Sequence, residues 1–413
     1  MHDGITVGAR LRALRRWRQM SLAQLAGQAD LSVSFLSMAE RGLRSLDRRS
    51  HISALAGALR VSETELVGGP HLGRDPAQSD PHAVIPPIRL ALQTNSLVAP
   101  AAERARPLDE LVAEMVEIEA HHQACDYVAV GRALPDLLDE LHLHAADPAD
   151  EAAYRVALET LVEACTAATF TSKDLGYPDL AHLAAVRAEE AAAILDDPVR
   201  LGQAAFCRVH TMPRVGSWNR TLAAAERAAE ALQAHATGTR GQQVLGMLGL
   251  SASLAAAVEK DADRARSWLS EAAALAVHQP DTPDENWMSF STTNVRVWDV
   301  AVNVEYGERG GAVLELASRV DESKLTGAPD RQTAGRRGRY AAFLADVGRG
   351  LARDRKTQGQ AERWLLRAEY AAPQWIRNHK PVQEAVAVLY TQAHARATTR
   401  ELRGMVARMG IPH

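Results

Sequence analysis

Over the first 67 residues apolar positions recur three and four apart in short bursts separated by Gly, Asp and Ser, a pattern that predicts a cluster of short helices. Leu11 and Leu14 mark the inward stripe of a first helix over 7–18. Leu22, Leu25 and Ala26 mark a second, opened by Ser21, whose hydroxyl suits an N-cap. A tight turn follows at Asp30 and Leu31. The short polar side chain of Asp30 tolerates a left-handed backbone, and Leu31 is expected to plug the space between helices. Ser32 then caps a third helix in which Leu36 and Ala39 point inward, leaving Val33, Ser34, Ser37 and Met38 on the outer face. Small Ala26 and Gly27 are expected to let these two helices cross closely. Ser50 is expected to cap a fourth helix carrying Ile52, Leu55, Ala56 and Leu59, and 62–67 forms a fifth.

The stretch 68–87 holds five prolines and three glycines and reads as a linker, so independent domain motion is expected. The chain therefore divides into 1–68, a linker at 69–87, and 88–413. From residue 88 onward the helical period is almost unbroken. Anchors four and three apart recur at Ala181/Ala185/Ala188, Thr221/Ala225/Ala228, Ala265/Leu269/Ala272 and Ala361/Leu365/Ala368, with a weaker copy at Ala312 and Leu316. Turn residues such as Gly216, Asp261 and Gly307 precede them. Repeated helix pairs packed through small residues are the expected unit. The stretch 286–307 stands out, because Phe290, Asn294 and Trp298 supply rings and an amide suited to a ligand.

Composition supports helix throughout. With 46% hydrophobic but only 5% aromatic residues, the core is alanine and leucine, and an all-α fold is expected. The net charge of −4 hides an asymmetry: residues 1–67 carry ten arginines against six acids, a net of +4, and the remainder carries −8. The first domain is the one suited to a phosphate backbone. No apolar run of membrane-spanning length and no signal-peptide pattern are read in the chain, so a cytoplasmic protein without membrane contact is expected. Cys125, Cys165 and Cys207 are too few for a disulfide framework and are expected to be free and buried. The histidines, His121, His122, His142 and His144 among them, lack a metal-binding spacing. No catalytic motif, cofactor site or metal site is read, and no enzymatic activity is expected.

The run 21–42, ending in Glu40-Arg41-Gly42, resembles the lambda-repressor-like helix-turn-helix of the xenobiotic-response-element class of regulators. Leu22 and Asp30 depart from that class, which usually has glutamine and glycine there. The resemblance covers about 7–68 and implies double-stranded operator DNA as partner. It further implies an ion pair between Arg15 and Glu40 that orients both near the DNA backbone. Ser32, Val33, Ser34, Ser37 and Met38 would then approach bases, while Arg41, Arg44, Arg48 and Arg49 meet phosphates. Loss of Arg48 and Arg49 is accordingly expected to weaken binding on all sequences and flatten its salt dependence. The later helices resemble tetratricopeptide repeats. The whole architecture is similar to peptide-pheromone-sensing regulators, with an actinobacterial composition, which implies a homodimer formed through the repeats and a peptide or small-molecule effector. The alternative reading is a protein-interaction hub whose first domain binds no specific operator.

Overall fold

The structure is a computed structural model that describes residues 6–69, 76–213, 216–281, 286–326, 337–393 and 399–411. Every regular element among them is a helix.

The head consists of α1 (Val7–Trp17), α2 (Leu22–Gln28), α3 (Val33–Glu40), α4 (Arg49–Leu59) and α5 (Glu63–Val67). Its ends are set locally. Ser21 and Ser62 each form a capping box, with Gln24 and Glu65 respectively, and Ser32 accepts from the Phe35 amide. Asp30 takes φ +50°, which turns the chain between α2 and α3. Leu11, Leu25, Leu36, Leu55, Leu59 and Leu66 close a core with no exposed surface.

Two details differ from the sequence reading. At the crossing of α2 and α3 Ala26 is buried but Gly27 faces open space, and a closer approach is made from α1 by Gly8, where an added Cβ would lie 2.1 Å from the Ala39 carbonyl oxygen of α3. The fourth helix begins at Arg49, with Arg48 as an N-cap that makes no side-chain cap, so Ser50 lies inside the first turn.

The second region starts earlier than the proline count implies. Helices α6 (Pro76–Ala83) and α7 (Ile85–Thr94) occupy much of the expected linker and pack on α9 (Tyr127–Ala146), burying Val84, Ile85, Ile88 and Leu92. Prolines at the start of α7 are compatible with this, because first-turn N–H groups need no intrahelical acceptor. Residues 70–75 lie outside the described residues.

There follow α8 (Leu108–Gln123), α10 (Glu151–Asp174), α11 (Pro178–Leu195), α12 (Pro198–Thr211), α13 (Asn219–Gln233), α14 (Thr239–Val258), α15 (Ala262–Ala276), α16 (Thr292–Tyr306), α17 (Gly311–Ala317), α18 (Ser323–Thr326), α19 (Arg337–Ala352), α20 (Gln358–Ala371), α21 (Pro373–Ile376), α22 (Lys380–Ala393) and α23 (Arg400–Arg408). Most helices from α8 on pack on the next in sequence, and α8, α10, α12, α14, α16 and α19 also pack on one another in succession. That is a two-layer, repeat-like stack. The anchor triplets all fall on helices of the other layer: α11, α13, α15 and α20. Ala181, Ala185, Ala188, Ala361, Leu365 and Ala368 have no exposed surface there. The weaker copy is off by one, since α17 buries Val313 and Ala317 in place of Ala312 and Leu316. Helix α23 covers the end of the stack, burying Leu402, Met405 and Val406 against α22 and α20.

Helix α14 corrects the reading that no stretch is apolar enough to cross a membrane. Thr239–Val258 is long and apolar enough, but 89% of its apolar window is buried among α12, α13, α15 and α16. Its glycines, alanines and serines suit the centre of a helical stack. The three cysteines are free and buried, with Cys165 and Cys207 on successive inner helices and Cys125 in the turn before α9.

Candidate functional site

The outer face of α3 splits in two. Ser32, Val33 and Ser34 are exposed, with Val33 at 46%, while Ser37 and Met38 are half-buried. Met38 turns toward a cleft of about 480 Å³ between head and stack, walled also by Phe35, Arg44, Arg48, Arg309, Arg353 and Arg355. Phe35, which the sequence reading did not single out, meets His51 edge-on at 4.9 Å. Burial, then the charge of Arg48, pushes His51 down to about 4, so its ring is neutral near pH 7.

The pair between Arg15 and Glu40 is present and two-pronged, with Nε to Oε1 at 2.6 Å and Nη2 to Oε2 at 2.9 Å. Arg15 also donates from Nη1 to the Met20 carbonyl at 2.8 Å. Its guanidinium is therefore spent on tying α1 to the end of α3. Arg15 positions the outer face and offers no free fork to a phosphate.

Arg41 and Arg44 are exposed immediately after α3. Arg48 and Arg49 are not, and here the structure corrects the expectation. Arg48 donates from Nη2 to the carbonyls of Glu305 and Tyr306, both at 2.9 Å, at the C-terminal end of α16. That end carries partial negative charge, which suits a cation. Arg49 donates from Nη1 to Glu305 Oε1 at 2.7 Å, and its backbone N–H bonds Glu305 Oε2 at 2.9 Å. Glu305 thus supplies from the stack the cap that α4 lacks.

Behind these residues lies a buried ionic cluster. Arg349, with no exposed surface, donates to the Asp47 carbonyl at 2.5 Å, to Glu305 Oε1 at 2.8 Å and to Asp346 Oδ1 at 2.7 Å. Arg353 reaches Asp47 Oδ2 at 2.7 Å and the Val304 carbonyl at 2.6 Å. Burial by itself would raise Glu305, but Arg49, Arg349 and Arg353 outweigh it and hold the carboxyl down to about 2. Arg353 and Arg349 likewise hold Asp47 well below the carboxylate range against the effect of burial. With folded values depressed, the docking contribution of these acids is present above their ordinary range and is lost as pH falls through about 2. The expected independence of the domains is replaced by a docked head.

A further tie has the opposite pH dependence. Glu384 Oε1 accepts the Val7 N–H at 3.0 Å, and burial pushes this acid up to about 7 from its ordinary 4.5. Its contribution to docking is complete below the ordinary value and is lost as pH rises through about 7. Glu384→Gln keeps an acceptor without the charge. This variant is expected to melt about 2–5 °C higher than the parent chain at pH 8 and nearly level with it at pH 5. Thermal unfolding followed at both pH values checks this, and a larger gap at pH 5 than at pH 8 would contradict it.

The expected ligand residues of 286–307 separate. Phe290 is fully buried against α14, where a Cβ on Gly246 would lie 2.0 Å from its ring. Asn294 is also fully buried and donates to the Met288 carbonyl at 3.3 Å. Trp298 alone lines a half-open cavity, of about 470 Å³, whose walls include residues of α8, α10, α12, α14, α16 and α19 and Val67, Gly68 and Gly69 of the head. Missed by the sequence reading were Asp47, Glu305, Arg349 and Arg353. One signal existed for Arg349: it interrupts an otherwise small and apolar run, VGRGLA, on α19.

With this geometry in place, residues 6–67 match the family described as "Helix-turn-helix domain". They form a helix-turn-helix domain. The chain is also similar to an "Immunity repressor protein" of Bacillus phage phi105, 41% identical over 64 residues. That match spans 16% of this chain and 44% of the phage protein, less than half the length of either. No solved structure matches the chain.

Proposed function

We propose that this protein is a DNA-binding transcriptional regulator in which α3 enters the major groove of an operator and the helical stack carries the control. The single observation that carries the reading is the exposed start of α3 in a matched helix-turn-helix domain, with Val33 and Ser34 free and Arg41 and Arg44 exposed beside them. Apolar and hydroxyl groups suit thymine methyls and base edges, and the two arginines suit phosphates. Similarity to a protein named as a repressor supports the same reading.

The stack is read as tetratricopeptide-like and as the dimerising part of a cytoplasmic homodimer. Two heads about 34 Å apart, or a multiple of that, would read a two-fold site. An effector bound in the stack acts by favouring one arrangement of the heads. A preference of about 1–3 kcal/mol shifts operator affinity roughly five- to 150-fold.

Gel shift with fragments of the source genome tests this. Retardation of particular fragments that survives about 150 mM salt is the expected result. Absence of retardation at any salt overturns it and favours a protein-interaction role.

A further inference from the structure

We propose that the cavity in the stack binds a small organic monoanion with a planar aromatic body, its charge held by Arg339 and its ring by Trp298, Phe170 and Phe206. The proposal deepens the reading of the stack as a sensing region and rests on it. A volume of about 470 Å³ lies within the range of small-molecule sites.

The charge of the ligand follows from the charges in the wall. Lys173 pairs with Asp174 at 2.6 Å, and Asp174 also accepts from Tyr127 Oη at 2.8 Å. Asp346 is bonded to Arg349 at 2.7 Å, and Arg49 to Glu305 at 2.7 Å. Glu119 accepts from Gln123 at 3.0 Å and lies 3.9 Å from the His122 ring, and burial raises its pKa. Lys380 has a partner.

Arg339 is left over. Among the described residues it makes neither hydrogen bond nor ion pair, its Nε is buried without an acceptor, and its guanidinium lies 5.4 Å from the Trp298 ring centroid. Burial lowers Arg339 to about 10, so it stays charged at neutral pH. The half-buried guanidinium has no directly bonded carboxylate and feels Asp346 and Asp174 only through space, so an anion entering beside it would give both a direct charged partner.

The body of the ligand follows from the rings. The chain has seven Trp, seven Tyr and five Phe, and six of these line the cavity: Tyr127, Phe170, Phe206, Trp218, Trp298 and Trp375. Trp298 is 5% exposed and its Nε1 has no acceptor, which leaves an N–H for a second ligand oxygen. A small molecule fits better than a peptide, because Asn294, the amide suited to a peptide backbone, is turned into the core. Val67, Gly68 and Gly69 share the wall, so an occupant touches the end of the head directly.

The test uses full-length protein and the aromatic sulfonate 8-anilinonaphthalene-1-sulfonate, read by fluorescence without DNA. Saturable one-site binding is expected, weakened about tenfold or more in Arg339→Gln, less in Arg339→Lys, with circular dichroism unchanged. The neutral dye Nile red is expected to bind parent and Arg339→Gln alike. On the unaltered chain, 1-naphthoate is expected to displace the sulfonate and 1-naphthamide to fail. The proposal is overturned by lack of saturable binding, by equal affinity in a folded Arg339→Gln, or by equal displacement with both competitors. Since no DNA is present, sulfonate binding without operator retardation would sink the regulator reading alone, and retardation without sulfonate binding would sink this site alone.

Discussion

Arg349→Leu is expected to release the head from the helical stack. The substitution removes the one cation shared by Asp47, Glu305 and Asp346 and leaves acids that the docked arrangement buries. Leaving a buried charge wholly unpaired typically costs about 3–5 kcal/mol, and this is the upper bound here, since Asp47 keeps Arg353 and Glu305 keeps Arg49. Undocking restores water to these acids, so the expected outcome is separation of the head, with each part still folded around its own core. Proteolysis at the junction near residues 68–76 should accelerate, the radius of gyration in solution should rise, and thermal unfolding should split into two transitions. Unchanged proteolysis and a single melting transition in Arg349→Leu would contradict the role assigned to the cluster.

The second large effect separates two pairs of arginines that look equivalent in the sequence. Arg41→Ala with Arg44→Ala is expected to weaken binding to every duplex and to reduce the slope of log affinity against log salt by about 2, close to 0.9 for each phosphate that is no longer neutralised. Arg48→Ala with Arg49→Ala should change that slope by less than about 0.5 while lowering the melting temperature. The reason is that the second pair is already bonded to Glu305 and to the end of α16. Fluorescence anisotropy of a labelled duplex between about 50 and 200 mM salt distinguishes the outcomes. Equal slopes for the two double variants would remove the distinction, and a larger loss from the Arg48/Arg49 pair would reverse it.

Much of the head was legible because its signals are local. Ser21, Ser32 and Ser62 act within three residues, Asp30 sets one backbone angle, and the inward leucines recur at the helical period. The expected Arg15–Glu40 pair came from resemblance and is present. The linker was less legible, since prolines also open helices, as Pro86 and Pro87 do in α7. Of the ligand candidates, Trp298 reaches the cavity while Phe290 and Asn294 fill the core. All three lie on one short stretch, and its period alone does not say which faces are covered.

The sequence by itself determined an all-α chain, a helix-turn-helix with its outer face named, and the small-residue stripes of α11, α13, α15 and α20. Helix ends and helix faces depend on neighbours three and four residues away, so they are written into any short window of the chain. Only the tertiary structure decided which arginines are spent and which are free. Asp47 and Arg349 lie 302 positions apart, and the two surfaces that carry them are apolar or charged in ways many other surfaces share. The same holds for the cavity, whose rings and unpaired Arg339 come from separate helices. Their meeting depends on how the helices pack on one another, which no local pattern encodes.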